Sequence, residues 1–125
     1  MANPTTSSWE KVKRVVRYLK GEPRVVYEYN WQNHEDIAVY VDTDWAGCFK
    51  TRKSTSGGAI MRGGHLLKHW SSTQQTIALS SGEAELKGIV KGAAEGLGLQ
   101  SVGKDLNISY DVHVYTDSSA AMGMV

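Results

Sequence analysis

Three short segments constrain this chain more than anything else in it: Tyr40-Val41-Asp42-Thr43-Asp44-Trp45, Ser80-Ser81-Gly82-Glu83-Ala84-Glu85-Leu86 and Val114-Tyr115-Thr116-Asp117-Ser118. The first and third are extended in character and end on an acid, while the second opens a stretch of helical period with acids in its first turns. Taken singly, such acids are ordinary, because aspartate caps turns and glutamate completes helix caps. Three of them in a strand, helix, strand order can converge in space. The fold must then bring two strand ends beside one helix start.

Periodicity supplies the elements between them. Residues 1–8 are small and polar, with Pro4, and read as a disordered leader. Trp9, Val12, Val15, Val16 and Leu19 recur at helical spacing and are followed by Gly21 and Pro23, which predicts an amphipathic helix over Trp9 to Leu19. Arg24 to Tyr29 reads as a short strand, and residues 30–36 as a polar connection. Ile37 to Asp42, apolar on both faces, reads as a buried central strand with Asp42 at its carboxyl end. Gly58 to Arg62 and Leu66 to Ser72 are extended runs joined by the tight-turn pair Gly63-Gly64, so the first three sheet strands should form an antiparallel meander.

From Ser80 to Leu99 the period changes. Leu86, Ile89, Val90, Ala93 and Leu97 fall within about 100° on a helical wheel, which predicts a helix packed on the sheet. Asp111 to Asp117 returns as a strand after this crossover, favouring parallel pairing with an earlier strand, and Ser118 is placed to cap a short helix. Gly88, Gly92 and Gly96 lie inside the long helix at four-residue spacing, where each costs about 1 kcal/mol relative to alanine. Glu85 lies on the same stripe. Two readings are open: the stripe lets the helix approach the sheet closely, or it merely weakens a tolerant surface helix.

Local chemistry sorts the acids. Ser80-Ser81-Gly82-Glu83 matches a capping box, which explains Glu83 structurally. Glu85 has no such explanation, and at the edge of a buried face an unpaired carboxylate is costly unless it meets a cation. Asp42 continues the regular strand and is preferred over Asp44, which precedes a turn at Trp45-Ala46-Gly47. Asp42, Glu85 and Asp117 are therefore the candidate metal ligands and catalytic residues. Oxygen donors without paired cysteine or a convincing histidine pair select Mg²⁺ or Mn²⁺, and two ions about 3.5–4 Å apart suit phosphodiester hydrolysis. His65 and His69, in a predicted hairpin, read as surface or core residues. No P-loop and no Gly-x-Ser-x-Gly elbow is present, and no small-molecule cofactor is expected.

Charge points to a partner. The net charge is only +1, yet the stretch from Trp45 to Gly82 holds no acid and contains Lys50, Arg52, Lys53, Arg62 and Lys68. The first helix adds Lys11, Lys13, Arg14, Arg17 and Lys20, which fit phosphate contacts or simply a solvated face. At 125 residues the chain is one domain or most of one, with no apolar run near the ~18 residues that span a bilayer, so no membrane role is expected. The amino terminus lacks the pattern of a secretory signal, and the single Cys48 suits a reducing compartment.

Four further segments carry a resemblance. Asp42-Thr43-Asp44-Trp45-Ala46-Gly47-Cys48, Thr51-Arg52-Lys53-Ser54-Thr55-Ser56-Gly57, Trp70-Ser71-Ser72 and Ser80 to Leu86, followed by Tyr115-Thr116-Asp117-Ser118, closely resemble the ribonuclease H domain of copia-type LTR retrotransposon polyproteins. Val15 to Gly21 looks like the segment joining reverse transcriptase to that domain. The resemblance runs from about Trp9 to Met122. It implies an α/β ribonuclease H-like fold: a mixed central sheet of antiparallel meander plus parallel strands, with flanking helices. Residues 1–30 would be a leader and connection, and residues 31–125 the ribonuclease H-like domain. The family's later helix, with its fourth acid, would lie beyond Val125, so the domain is expected to be incomplete at its carboxyl end.

The resemblance also implies an activity, Mg²⁺-dependent cleavage of the RNA strand of an RNA/DNA hybrid by water, leaving a 5′-phosphate and a 3′-hydroxyl. The family's first, second and third acids fall on Asp42, Glu85 and Asp117. Arg52, Lys53, Ser54, Thr55, Gln74 and Gln75 are the expected substrate contacts, since a hybrid is read by small polar groups backed by cations. The partners would be the hybrid and the reverse transcriptase domain of the same polyprotein, in a cytoplasmic retroelement particle or the nucleus, not outside the cell. A degenerate relic that keeps the fold and binds nucleic acid without cutting it is the competing reading.

Overall fold

The computed structural model describes residues 4–24, 26–33 and 35–124. Contacts divide the chain into two parts, residues 1–30 and residues 31–125. In the first, helix α1 spans Thr6–Gly21, with the Thr5 hydroxyl accepting the Ser8 N–H at 3.1 Å. This cap starts the helix three residues before its first apolar position. None of its residues is buried. The strand expected over Arg24 to Tyr29 is not formed by residues 24 and 26–29, which are irregular, and Val25 lies outside the described residues. An extended run without a partner strand gains no ladder hydrogen bonds, so its propensity alone does not make a strand.

The second part is built on strand β1, Asp36–Asp44, which pairs on both sides. Strands β2 (Thr55–Arg62) and β3 (His65–Thr73) continue it as an antiparallel meander, and β4 (Asp111–Tyr115) pairs with β1 in parallel, giving the order β3-β2-β1-β4. The mixed sheet expected from the sequence is thus present. Gly63, with φ 53°, supplies the left-handed residue of the β2–β3 turn. The side chain of Gln32 clamps this hairpin, donating to the Arg62 carbonyl and accepting the Gly64 N–H. Three strand boundaries differ from expectation by two residues or more: β1 runs two residues past Asp42, β2 begins at Thr55 rather than Gly58, and β4 stops two residues before Asp117.

Helix α2 covers Ser81–Asp105, longer than predicted because nothing stops it before Asn107, whose φ of 59° reverses the chain. Its buried residues are Gly82, Ala84, Gly88, Gly92, Gly96 and Gly103, whereas Val90 and Leu97 are 63% and 55% exposed. The face turned to the sheet is therefore the glycine stripe, the close-approach reading of the two left open by the sequence, while Val90 and Leu97 of the apolar arc stay outside it. The reason is distance. A Cβ on Gly92 would lie 2.5 Å from Val41 Cγ1, and one on Gly96 would lie 2.6 Å from Val112 Cγ1. Backbone replaces side chain as the packing surface.

The core beneath this helix is small. Ile37, Val39, Val41 and Ile60 are buried, with Trp70, Ile89, Leu99, Tyr110, Val112 and Val114 packed around them. Each large buried aliphatic contributes about 1.5–3 kcal/mol. A final short helix, α3 (Ser119–Met122), is capped by Ser118, whose hydroxyl accepts the Ala121 N–H at 3.2 Å, as expected. Among the described residues no helix is long and apolar enough to cross a membrane.

Glycines within α2 should therefore behave oppositely by position. Gly98 has open space around its missing Cβ, so Gly98→Ala should raise stability by up to about 1 kcal/mol. At Gly92 an overpacking cost of about 1–3 kcal/mol outweighs that gain, and Gly92→Ala should lower stability. Urea titrations of both variants check the pair.

Candidate metal centre

Asp42 lies near the carboxyl end of β1, Asp117 just past β4, and Glu85 in the second turn of α2. Parallel pairing of β1 with β4 sends both strand ends the same way, and the glycine stripe brings α2 down beside them. One carboxylate oxygen from each of the three lies within 4.8 Å of the others. Asp42 and Asp117 are exposed and Glu85 is half-buried. Asp44 does not join them. Its carboxylate folds against Gly47, where a Cβ would lie 1.8 Å from Asp44 Oδ2, and it occupies the turn as the sequence suggested.

Electrostatics separates the two glutamates of α2. The Lys87 ammonium beside Glu83, at 2.7 Å, and the Leu79 N–H hold the Glu83 carboxyl below the usual range. The capping box differs in one detail: Ser80 Oγ accepts the Glu83 N–H, but Glu83 reaches the N–H of Leu79 rather than that of Ser80. Glu85 is pushed the other way, above the usual range, first by burial and then by the charges of Asp42 and Asp117. A backbone hydrogen bond from Thr43 opposes this more weakly. Glu85 Oε2 is buried without a hydrogen-bond partner. An orphaned carboxylate oxygen among like charges fits a cation, and an all-oxygen donor set fits a hard divalent one.

A polar network that the sequence reading missed fixes Glu85 in place. Ser56, 3% exposed, and Thr43, 8% exposed, face α2 from β2 and β1 and meet at 3.3 Å between hydroxyls. Gln74 Nε2 donates to Ser56 Oγ and to the carbonyl of Ala84, both at 2.8 Å. The helix turn carrying Glu85 is thereby tied to two strands. Polar side chains at inward strand positions, Thr43 and Ser56, were the signal available in the sequence.

The expected substrate contacts are divided by this arrangement. Gln74 is committed to the network rather than presented to a ligand. Ser54 is fully buried, with its hydroxyl accepting the Ala46 N–H at 3.1 Å, so it holds the loop after β1 instead of facing substrate. Arg52 and Gln75 are exposed, and Lys53 and Thr55 half-buried. Of the other cations in the acid-free stretch, Lys68 pairs with Glu95 at 2.6 Å and Arg62 lies over the Tyr110 ring, while Lys50 is exposed. The basic face is therefore narrower than the charge run suggested.

Three predictions rest on these contacts. Because folding raises the Glu85 carboxyl above its unfolded value, the folded protein binds that proton more tightly, and stability falls as pH rises through the raised value. In chelator, melting followed upward in pH from the ordinary carboxylate value of 4.5 should show this fall, and Glu85→Gln should flatten it. Adding Mg²⁺ or Mn²⁺ at a hundredfold excess over its dissociation constant should raise wild-type stability by about 2.7 kcal/mol. Gln74→Ala, which strips two acceptors of their donor, should cost about 1–3 kcal/mol in a denaturant titration.

No protein-family model matches the chain. It is 33% identical over 95 residues to an uncharacterized mitochondrial protein of Arabidopsis thaliana, covering 76% of this chain and 40% of that protein. It is 33% identical over 98 residues to a secreted RxLR effector protein of Plasmopara viticola, covering 78% of this chain and 69% of the effector. Against the retrovirus-related Pol polyprotein from transposon RE2 of Arabidopsis thaliana the identity is 32% over 123 residues, 97% of this chain but 8% of the polyprotein. The chain thus spans less than half of the mitochondrial protein and a small part of the polyprotein. Likeness to the Pol polyproteins of transposon RE2 and of transposon TNT 1-94 of Nicotiana tabacum runs over 97% and 99% of the chain, which is homologous to copia-type retrotransposon Pol polyproteins over nearly its whole length.

Proposed function

We propose that the chain is the ribonuclease H segment of such a polyprotein and cuts the RNA strand of an RNA/DNA hybrid during reverse transcription. The observation that carries this reading is the convergence of Asp42, Glu85 and Asp117 from a strand, a helix and a strand, with one Glu85 oxygen buried and unpartnered. The strand order β3-β2-β1-β4, with β4 parallel to β1, supports a ribonuclease H-like fold. Divalent ions, Mg²⁺ or Mn²⁺, would supply activation of water and stabilisation of the charge that develops on the phosphate.

The residues of the chain have distinct parts in this reading. Asp42 and Asp117, exposed at the strand ends, and Glu85, on the helix turn tied down by the Thr43–Ser56–Gln74 network, would hold the ions. Hydrolysis forms a bond from the water oxygen to phosphorus and breaks the bond to the 3′-oxygen, which leaves protonated. Arg52, Lys53, Thr55 and Gln75 are proposed to contact the hybrid, the cations through phosphate. The reverse transcriptase domain of the same polyprotein is the proposed protein partner, within a retroelement particle in the cytoplasm or in the nucleus.

A second reading has its own observation. Two of the relatives, the mitochondrial protein and the effector, are described as proteins in their own right rather than as Pol polyproteins. This favours a fragment that keeps the fold and binds nucleic acid without cutting it. An end-labelled RNA strand in an RNA/DNA duplex separates the two. Cleavage should depend on Mg²⁺ or Mn²⁺, and Asp42→Asn should lower it by about two orders of magnitude or more while leaving the fold intact. Hybrid binding by a folded chain with no cleavage would decide for the second reading.

A further inference from the structure

Trp45 joins two loops at the carboxylate end of the sheet. It is the first residue after β1, three positions beyond Asp42. Its indole Nε1 donates to the carbonyl of Ala78 at 3.1 Å, across 33 residues of chain. Ala78 is 4% exposed and lies in the irregular connection, residues 74–80, that leads into α2, so its carbonyl has no place in a helix or strand ladder. At the other end of that connection the Gln74 N–H donates to the Ser54 carbonyl at 2.8 Å, which continues the β2–β3 ladder by one step. The tie at Ala78, by contrast, depends on a side chain. An indole N–H donates and cannot accept, so its match to a carbonyl is specific.

Both sides of this tie are stiff. On the β1 side, Ala46 at φ 52° gives its N–H to Ser54 Oγ at 3.1 Å, and the Asp44 carboxylate lies over Gly47. On the helix side, Leu79 donates its N–H to Glu83 Oε2 at 2.7 Å, and Ser80 caps α2. A chain of short links thus runs from Asp42 through Trp45 and Ala78 to the first turns of α2, which carry Glu85. We infer that Trp45 is a positioning residue for the carboxylate site: its hydrogen bond to Ala78 holds the amino end of α2 at the end of β1, so that Asp42 and Glu85 keep a spacing fit for a divalent ion before the ion arrives. This rests on the metal-dependent ribonuclease reading given above. The other contacts that seat α2 begin at the Ala84 carbonyl and continue at Gly88, Gly92 and Gly96, whereas Trp45 holds the chain ahead of the helix. Three carboxylates with oxygens within 4.8 Å of one another repel, and the tie at Ala78 resists the displacement of the helix end that this favours. Without it, part of the free energy of ion binding goes into ordering the site.

Trp45→Phe keeps an aromatic ring and removes the donor. Mn²⁺ titration calorimetry and cleavage of an RNA/DNA hybrid compare this variant with the wild type, and urea titration in chelator measures the fold. The dissociation constant for Mn²⁺ should rise roughly three- to tenfold, the scale of one hydrogen bond. At limiting Mn²⁺ the kcat of the variant should fall by a similar factor with the KM for hybrid unchanged, and saturating Mn²⁺ should restore it. In the wild type the Trp45 indole N–H should exchange slowly with solvent in chelator, a measurement that stands even where Trp45→Phe does not fold. An unchanged Mn²⁺ dissociation constant in a folded variant, with or without a loss of stability, would overturn the positioning role, and so would an indole N–H protected only after Mn²⁺ is added. Weakened Mn²⁺ binding by the variant, in a chain that cuts no hybrid, would support the positioning role and remove the ribonuclease reading. No Mn²⁺ binding by the wild type would remove the metal centre and the positioning role with it.

Discussion

The close approach of α2 to β1 is the constraint on which the rest of this structure depends. It is made of absences. Gly88, Gly92 and Gly96 leave no room for a methyl group against Thr43, Val41 and Val112. A helix held off by side chains would still cover the sheet, but Glu85 would not reach the ends of β1 and β4. The intrinsic cost of three glycines in a helix, about 1 kcal/mol each, is offset by packing backbone directly on Val39, Val41 and Val112.

Once the helix is seated, the site it completes is electrostatically unfavourable by itself. Three carboxylates share a space of a few ångströms, and Glu85 responds by holding its proton more tightly. Among the described residues the neighbouring lysines of α2 do not relieve this, for Lys87 is turned to Glu83 and Lys91 to Ser72 and the Trp70 ring. They supply rigidity instead. The Thr43, Ser56 and Gln74 side chains and the Ala84 carbonyl form a hydrogen-bonded layer beneath Glu85, and Ser54 fixes the loop that follows β1. A preformed cluster of like charges on a stiff support is the arrangement that a divalent ion stabilises most.

The two faces of β1 divide the labour of the domain. Ile37, Val39 and Val41 make the core with Ile60 and the helix, and the alternate residues Tyr40 and Asp42 stay in solvent with Tyr115 and Asp117. A shift of register by one residue in either strand would exchange the faces and destroy both core and site. Homology to retrotransposon Pol polyproteins gives this construction its setting, and the proposed chemistry follows from the acids rather than from the relatives' names.

Much of this was legible in one dimension. Apart from the strand expected over Arg24 to Tyr29, the sequence by itself determined the order of the elements and singled out the three acids that converge. Period-two and period-3.6 patterns, the Gly63-Gly64 turn and the Ser80 and Ser118 caps are local, and local interactions are written in neighbouring residues. It also separated Glu83 from Glu85, since a cap is a local device. Tertiary structure alone decided which side of α2 meets the sheet. The apolar pattern favoured the side with Val90 and Leu97, but the depth of approach depends on what the opposing strands present, and Val39, Val41 and Val112 left space only for glycine. The same holds for Ser54 and Gln74, whose polar side chains resembled ligand contacts until their partners, up to 18 residues away, were in place. Arg24 to Tyr29 shows the converse, because a strand exists only with a partner to pair with. Hydrogen bonds and close contacts between distant residues depend on relative position in space, and no spacing within a segment encodes that.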